Sequence, residues 1–283
     1  MNDLFSTQTK NTMKVLILGG SSEYGKETAR LLAHEDQITK IGLVSRRLAV
    51  AQRVVEEIGR KTEAVCADIK DVNQMASIAG NYNIIVNTAG PTSEVQVPAI
   101  QAAISAGVHY CDLGICGRSA EKALQLDMQA RSRGVTAIIG TGWLAVTSLM
   151  AVHASHKLDK VEEVIVCLVF DISAGAYYSP EQSLTRARKL GHVEASWVDP
   201  IENACGPVLT YRAGHWIRVE PGENPVEVVH PSGHRITAYP VDSLDSVTLP
   251  PSLPGVQTVS SLFSLIPPQL NELYLRQGRR IAT

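Results

Sequence analysis

The first half of the chain alternates two hydrophobic rhythms. Val15-Leu16-Ile17-Leu18 is a continuous apolar run that ends on Gly19-Gly20, the pattern of a parallel strand buried on both faces. Residues 25–33 read as a helix and 41–44 as a second strand. In 48–58 the apolar positions 50, 51, 54, 55 and 58 form a single helical stripe, and Gly59 supplies the stop. A third strand is predicted over 64–67. Asp71 then caps a helix that turns Val72, Met75 and Ile78 inward and ends at Gly80. Residues 84–86 form a fourth strand, Thr88-Ala89-Gly90-Pro91 turns away from it, and a helix runs to Ser105 before Gly107. A fifth strand over 109–113, a helix over 120–131 and a sixth strand over 135–139 complete the series. Strands and helices alternating at this spacing predict an α/β fold with a doubly wound parallel sheet.

After Gly140 the rhythm changes. A helix is predicted over 147–158 and a long valine-rich strand over 161–170. Ser179-Pro180-Glu181 opens a further helix that runs to Leu190. From Trp197 to Val247 come short β-like runs punctuated by turns such as Pro221-Gly222 and Pro231-Ser232-Gly233, the signature of a smaller α+β domain. Leu249-Pro250-Pro251 and Leu253-Pro254-Gly255 read as a connector, and 268–276 as a closing helix. The apolar strand over 164–170 needs cover on both faces, which predicts a homodimer built through this second domain.

Composition narrows the class. A chain of 283 residues matches two domains of roughly 150 residues each. Its 45% hydrophobic and 19% charged residues supply the core of an ordinary globular enzyme. A net charge of -2 with 5% aromatics speaks against a nucleic-acid surface. No apolar run approaches the ~18 residues of a membrane-spanning helix, and residues 1–14 lack the apolar stretch of a secretory leader. The five cysteines are scattered, without a CxxC pair, which predicts reduced thiols in a cytoplasmic protein and no metal centre.

The chemistry begins at Gly19-Gly20-Ser21-Ser22-Glu23-Tyr24-Gly25, between the first strand and the first helix. A dinucleotide's pyrophosphate needs a tight turn there, a close backbone approach and helix N–H groups aimed at it. Gly19 makes the turn, and Gly25 lets the helix lie near the sheet. Ser22 takes the middle position of a GxxGxxG pattern, where its hydroxyl can reach a phosphate oxygen. This strand–turn–helix context predicts a Rossmann-type dinucleotide site. About 20 residues on, where an acidic residue would bind the ribose of NAD, the chain carries Val44-Ser45-Arg46-Arg47 and no carboxylate, which predicts NADP. No tyrosine is followed four residues later by lysine, so the dyad of short-chain dehydrogenases is absent, as is a Gly-x-Ser-x-Gly elbow. Candidate acid–base groups are His109, Tyr110 and Asp112, at the crevice end of the fifth strand; Asp112 also suits a structural role. His153 and His156 share a helix face but have no third ligand. Tyr177, Tyr178, Arg186, Arg188 and His192 form a polar, partly basic stretch suited to a substrate carboxylate.

Four segments together carry a family resemblance. They are the run from Val15 to Gly25, Leu43-Val44-Ser45-Arg46, Val86-Asn87-Thr88-Ala89-Gly90-Pro91, and Ala106-Gly107-Val108-His109-Tyr110-Cys111-Asp112-Leu113. With them residues 14–150 resemble the NADP-binding domain of the saccharopine dehydrogenase-like family, with Ser22 in place of the usual glycine and a shorter second half. The resemblance implies that Asp68 lies by the adenine, and Asn87, Ala89 and Gly90 by the nicotinamide-side ribose. The expected organisation is an N-terminal arm over 1–12, a dinucleotide-binding domain over 13–145, and a substrate and dimerisation domain over 146–283. The expected activity is NADP(H)-dependent hydride transfer to or from an amino-acid-derived imine or secondary amine, a small-molecule substrate. One alternative is reduction of a ketone or activated C=C on a larger apolar metabolite. Another is a non-catalytic NADP-binding protein.

Overall fold

The computed structural model describes residues 12–171 and 195–282. They form two compact units. The first gathers the residues up to 89 with 94–113 and 125–139; the second gathers 90–93, 114–124 and the residues from 140 onward.

The first unit is built on β1 (Met13–Leu18), β2 (Ile38–Ser45), β3 (Thr62–Cys66), β4 (Ile84–Asn87), β5 (His109–Asp112) and β6 (Ala137–Ile138). Every ladder is parallel and the strand order is β3-β2-β1-β4-β5-β6, the Rossmann arrangement. Leu16, Ile17, Leu18, Ile41, Leu43 and Ile85 are fully buried, as expected where helices cover both faces of a parallel sheet. Those helices include α1 (Glu23–Ala33), α2 (Leu48–Ile58), α3 (Val72–Ala79) and α4 (Thr92–Ala106). Asp71 caps α3 through a carboxylate oxygen 3.0 Å from the Gln74 N–H. Register levels the strand ends: Leu18 pairs with Val44 on one side and Asn87 on the other, Ser45 with Cys66, and Asn87 with Asp112. The C-terminal residues of five strands thus share one edge, with β1 and β4 flanking the point where the strand order reverses.

The expected helix over 120–131 is in fact two, α5 (Gly117–Leu124) and α6 (Asp127–Ser132). The stretch serves two cores. α5 belongs to the second unit and α6 to the first, so the run breaks at Gln125-Leu126. The sixth strand is shorter than expected, two residues long.

The second unit holds α7 (Trp143–Ser155), β7 (Glu163–Asp171), α8 (Ala195–Glu202), β8 (Val208–Arg212), β9 (His215–Val219), β10 (Val226–Val229), β11 (Arg235–Pro240), α9 (Leu244–Ser252), β12 (Thr258–Ile266) and α10 (Gln269–Ala282). β12 organises it. It runs parallel to β7 along its whole length, from Thr258 opposite Glu163 to Ile266 opposite Asp171. It also joins the β8–β9 hairpin at Val259 and the β10–β11 hairpin at Leu262 and Phe263. Val166, Leu249, Leu253, Val256 and Val259 form the core beneath. The mixed α+β character matches the reading of the sequence, but β12 has no counterpart in it.

Nor is 249–255 a plain connector. Pro250 and Pro251 lie in the last turn of α9. Pro250 lacks the N–H that would bond the carbonyl of Ser246, and the indole of Trp216 donates to that oxygen instead, at 3.2 Å. α7 begins at Trp143, four residues before the expected start. The helix expected over 179–190 and the arm over 1–11 lie outside the described residues. Among the described residues no helix is long and apolar enough to cross a membrane.

Candidate functional site

The glycine turn follows β1. Gly19 has φ of +73°, and a Cβ there would come within 2.9 Å of the backbone of Ala89, so the turns after β1 and β4 are in direct contact. A Cβ on Gly25 would lie 2.3 Å from the carbonyl oxygen of Gly19, which is how α1 starts so close to the turn. Ser22 is the N-cap of α1. Its hydroxyl oxygen accepts from the Gly25 N–H at 3.0 Å, and its own N–H donates to Gly19 at 2.8 Å. An oxygen that accepts internally keeps its proton free to donate outward, so a serine here tightens the turn without closing it to an anion. Gly20 is buried, Ser21 and Ser22 are half-buried, and Tyr24 is exposed beside them.

At the end of β2, the hydroxyl oxygen of Ser45 accepts from the Arg47 N–H at 3.2 Å. Arg46 and Arg47 are exposed, and among the described residues no carboxylate pairs with either. Arg47 is also the N-cap of α2, whose N-terminus carries no side-chain cap. An uncapped helix N-terminus flanked by two free guanidinium groups is an anion-binding arrangement. Asp68, two residues past the end of β3, is exposed; its carboxylate accepts from the Lys70 N–H at 3.0 Å.

At the ends of β4 and β5 the polar groups turn inward. The Asn87 amide nitrogen donates to the Tyr110 hydroxyl at 3.0 Å, and the Asn87 carbonyl oxygen accepts from the Ala89 N–H at 3.0 Å. The Tyr110 hydroxyl donates to Asp112 Oδ2 at 2.8 Å, and the Gln96 amide nitrogen donates to the same oxygen at 2.8 Å. Tyr110 is 1% exposed and Asp112 2%. Burial, and then the charge of Asp112, push the Tyr110 hydroxyl well above its ordinary range, so it holds its proton. The structure therefore joins the two expected acid–base groups and encloses them. Thr88 adds a bond from its hydroxyl to the Leu18 carbonyl at 2.8 Å. Gly90 precedes Pro91 through a cis peptide and groups with the second unit. His109 receives the Thr136 N–H on Nδ1 at 3.2 Å, holding β6 against β5.

Sequence reasoning missed Gln96. Its one signal was a lone amide within the apolar stripe Val95, Ala99, Ile100 and Ala103 of α4. Tyr177, Tyr178, Arg186, Arg188 and His192 lie outside the described residues. His153 and His156 are exposed, and among the described residues no cluster could hold a metal ion.

Among the described residues of the second unit, the buried Asp242 and Asp245 and the half-buried Asp199 each hold chain segments together. Asp199 accepts from the Thr92 N–H and hydroxyl at 2.7 and 2.9 Å. Asp242 accepts from the Arg118 N–H at 3.1 Å and the Cys116 thiol at 3.2 Å, while the Arg118 guanidinium donates to the carbonyls of Glu202 and Cys205 at the end of α8. Asp245 accepts from the hydroxyls of Ser148 and Ser243.

Comparison with known proteins agrees with the geometry of the first unit. Residues 15–138 match the family model described as the saccharopine dehydrogenase NADP binding domain. A trans-acting enoyl reductase of Mycobacterium leprae is 23% identical over 152 residues, covering 52% of this chain and 36% of that protein. A lipid droplet localized protein of Caenorhabditis elegans is 24% identical over 200 residues, covering 63% of this chain and 47% of that protein. The chain thus spans less than half the length of these curated relatives. Saccharopine dehydrogenase (L-Glu forming) from Saccharomyces cerevisiae superposes with a TM-score of 0.60 at 15% identity, over 89% of this chain and 54% of that one. That likeness is one of fold.

Proposed function

We propose that the protein is an oxidoreductase that uses NADP(H), with the cofactor bound along the strand-end edge of the first unit. The observation that carries this reading is the end of β2: Ser45, Arg46 and Arg47 at the uncapped N-terminus of α2, with no carboxylate to repel a phosphate. The residues fit the group. Gly19 and Gly25 let the turn, the facing Ala89 backbone and the start of α1 close up, since a Cβ at either would collide with backbone. The α1 N-terminus and the Ser22 hydroxyl face the pyrophosphate, Arg46 takes the 2′-phosphate, Asp68 lies on the adenine side, and Asn87 and Ala89 on the nicotinamide side. When bound, the nicotinamide supplies hydride chemistry; this chain supplies binding and orientation.

A guanidinium gives a doubly charged phosphate two parallel donors. Losing one charge-assisted contact costs about 1.5–3 kcal/mol, roughly a 10- to 150-fold loss of affinity. Arg46→Ala is expected to weaken NADPH by that factor and leave NADH nearly unchanged, as read by calorimetry. A wild type that prefers NADH, or a variant that loses both cofactors equally, overturns the assignment.

Two substrate classes follow from different observations. The family of the first domain favours an amino-acid-derived imine or secondary amine. The name of the mycobacterial relative favours an activated C=C on an apolar metabolite. NADPH consumption assayed with an imine formed from an amino acid and an aldehyde, against an α,β-unsaturated acyl thioester, separates them; tight binding with turnover of neither supports a non-catalytic role.

The assembly we infer is a homodimer. Among the described residues β7 pairs with β12 alone, and an apolar edge strand of nine residues is normally covered. Sedimentation at micromolar concentration should give twice the chain mass; a monomer there refutes it. All five cysteines are free, which fits the cytoplasmic location we favour.

A further inference from the structure

Resting on the reading of the first unit as an NADP(H) site, we propose that Tyr110 is a positioning residue for the nicotinamide half of the cofactor rather than a group that transfers protons. The argument starts from Asp112. An ionised carboxylate has only acceptor lone pairs, so Gln96 and Tyr110 must both donate to it, Gln96 through its amide nitrogen and Tyr110 through its hydroxyl. With its single proton committed to Asp112, the Tyr110 oxygen can only accept from its other neighbour. It therefore demands the amide nitrogen of Asn87, not the amide oxygen. That choice leaves Asn87 Oδ1 pointing at the Ala89 N–H, which it accepts at 3.0 Å. One buried negative charge thus sets the direction of every proton in a chain of four side chains. The chain ends on a backbone N–H in the turn after β4.

That turn is the one the cofactor site depends on. The backbone of Ala89 touches Gly19 so closely that a Cβ on Gly19 would come within 2.9 Å of both its N and its Cα. Dinucleotides bind at the strand-order reversal, across the C-terminal ends of the strands. Here that reversal lies between β1 and β4. With Ser45 and Arg46 at the end of β2 on one side of β1, the nicotinamide half falls on the β4 side. All four side chains of the network are 3% exposed or less, so it cannot rearrange through water. The Gln96 Oε1 atom is enclosed without a partner, a sign that Gln96 is oriented by Asp112 rather than by its own best satisfaction.

The discriminating probe is half a cofactor. Adenosine 2′,5′-bisphosphate carries the 2′-phosphate and adenine but nothing that reaches the turn after β4. Tyr110→Phe removes the hydroxyl with little change of shape, and frees the Asn87 amide to rotate. Calorimetry should show NADPH bound about 10-fold more weakly, or about 1.4 kcal/mol, with adenosine 2′,5′-bisphosphate unchanged. Asp112→Asn, which lets the tyrosine proton point either way, should give the same split. A variant that weakens both ligands equally marks a merely structural role and overturns the proposal. So does one that binds both normally but turns over slowly, the result expected of a proton donor. If wild-type protein binds neither ligand, it is the cofactor reading that fails, and this inference with it.

Discussion

Gly25 in the first unit and Gly278 in the second face the same obstacle. A Cβ at either would come within 2.3 Å of a backbone carbonyl oxygen, that of Gly19 in one case and of Ala204 in the other. Gly25 stands where α1 leaves the turn that the proposed function assigns to the cofactor, whereas Gly278 lies inside α10 and lets that helix settle onto the chain just past α8. On the proposed function, equal steric need therefore serves recognition in one unit and packing in the other. The difference lies in what surrounds each glycine, since only the first is framed by a strand end, a helix start and a facing loop.

Substituting each glycine by alanine gives the largest expected effect. Either change forces backbone apart, and overpacking of this kind typically costs about 1–3 kcal/mol. Gly25→Ala should in addition lose NADPH binding by more than 10-fold, a change of at least about 1.4 kcal/mol. Gly278→Ala should lower the melting temperature comparably and leave cofactor affinity alone. If Gly278→Ala weakens NADPH as much as Gly25→Ala does, the contrast between the units collapses.

A smaller effect distinguishes the buried carboxylates. Asp112 directs a network of donors, while Asp245 is fully buried with two serine hydroxyls, and burial pushes its carboxyl above the usual carboxylate range. Its folded-state pKa exceeds its unfolded value, so folding favours the protonated form. Stability is then undiminished below the unfolded pKa and falls as pH rises from there through the raised folded value. Asp245→Asn, neutral at every pH, should raise the melting temperature by a few degrees at neutral pH and by nothing in acid. A variant destabilised equally at both pH values would show that the two serine bonds outweigh the burial of charge.

Much of the first unit was legible because its signals are local. The stripe over 48–58 with Gly59 behind it, and Asp71 with Gly80 closing its helix, each state a helix within one stretch of chain, and α2 and α3 form there. A parallel sheet buried on both faces writes continuous apolar runs, so β1 stood out. Ser45 and Arg46 could be placed for the same reason, since a strand end is a local feature. The second unit keeps its instructions elsewhere. Thr258–Ile266 reads as no strand because Ser260, Ser261 and Ser264 interrupt the alternation. Ser261 meets Ser246 at 2.9 Å and Ser264 donates to the Thr237 carbonyl at 2.9 Å, so partners distant in sequence make these serines core residues. Pro250 is accommodated in a helix where Trp216, from the β8–β9 hairpin, takes the Ser246 carbonyl it leaves free.

What the sequence by itself determined, then, was each element whose burial follows a repeat within its own length, together with the turn and the arginines that such elements carry to one edge. The tertiary structure decided the roles of the polar groups between them. Tyr110 was placed at the right strand end, but whether its proton faces a substrate or Asp112 depends on Gln96 and Asn87, brought to it by a helix and a neighbouring strand. Periodicity reports which side of an element leaves water. A hydrogen bond needs a partner at one distance and one angle, and only the folded chain supplies it.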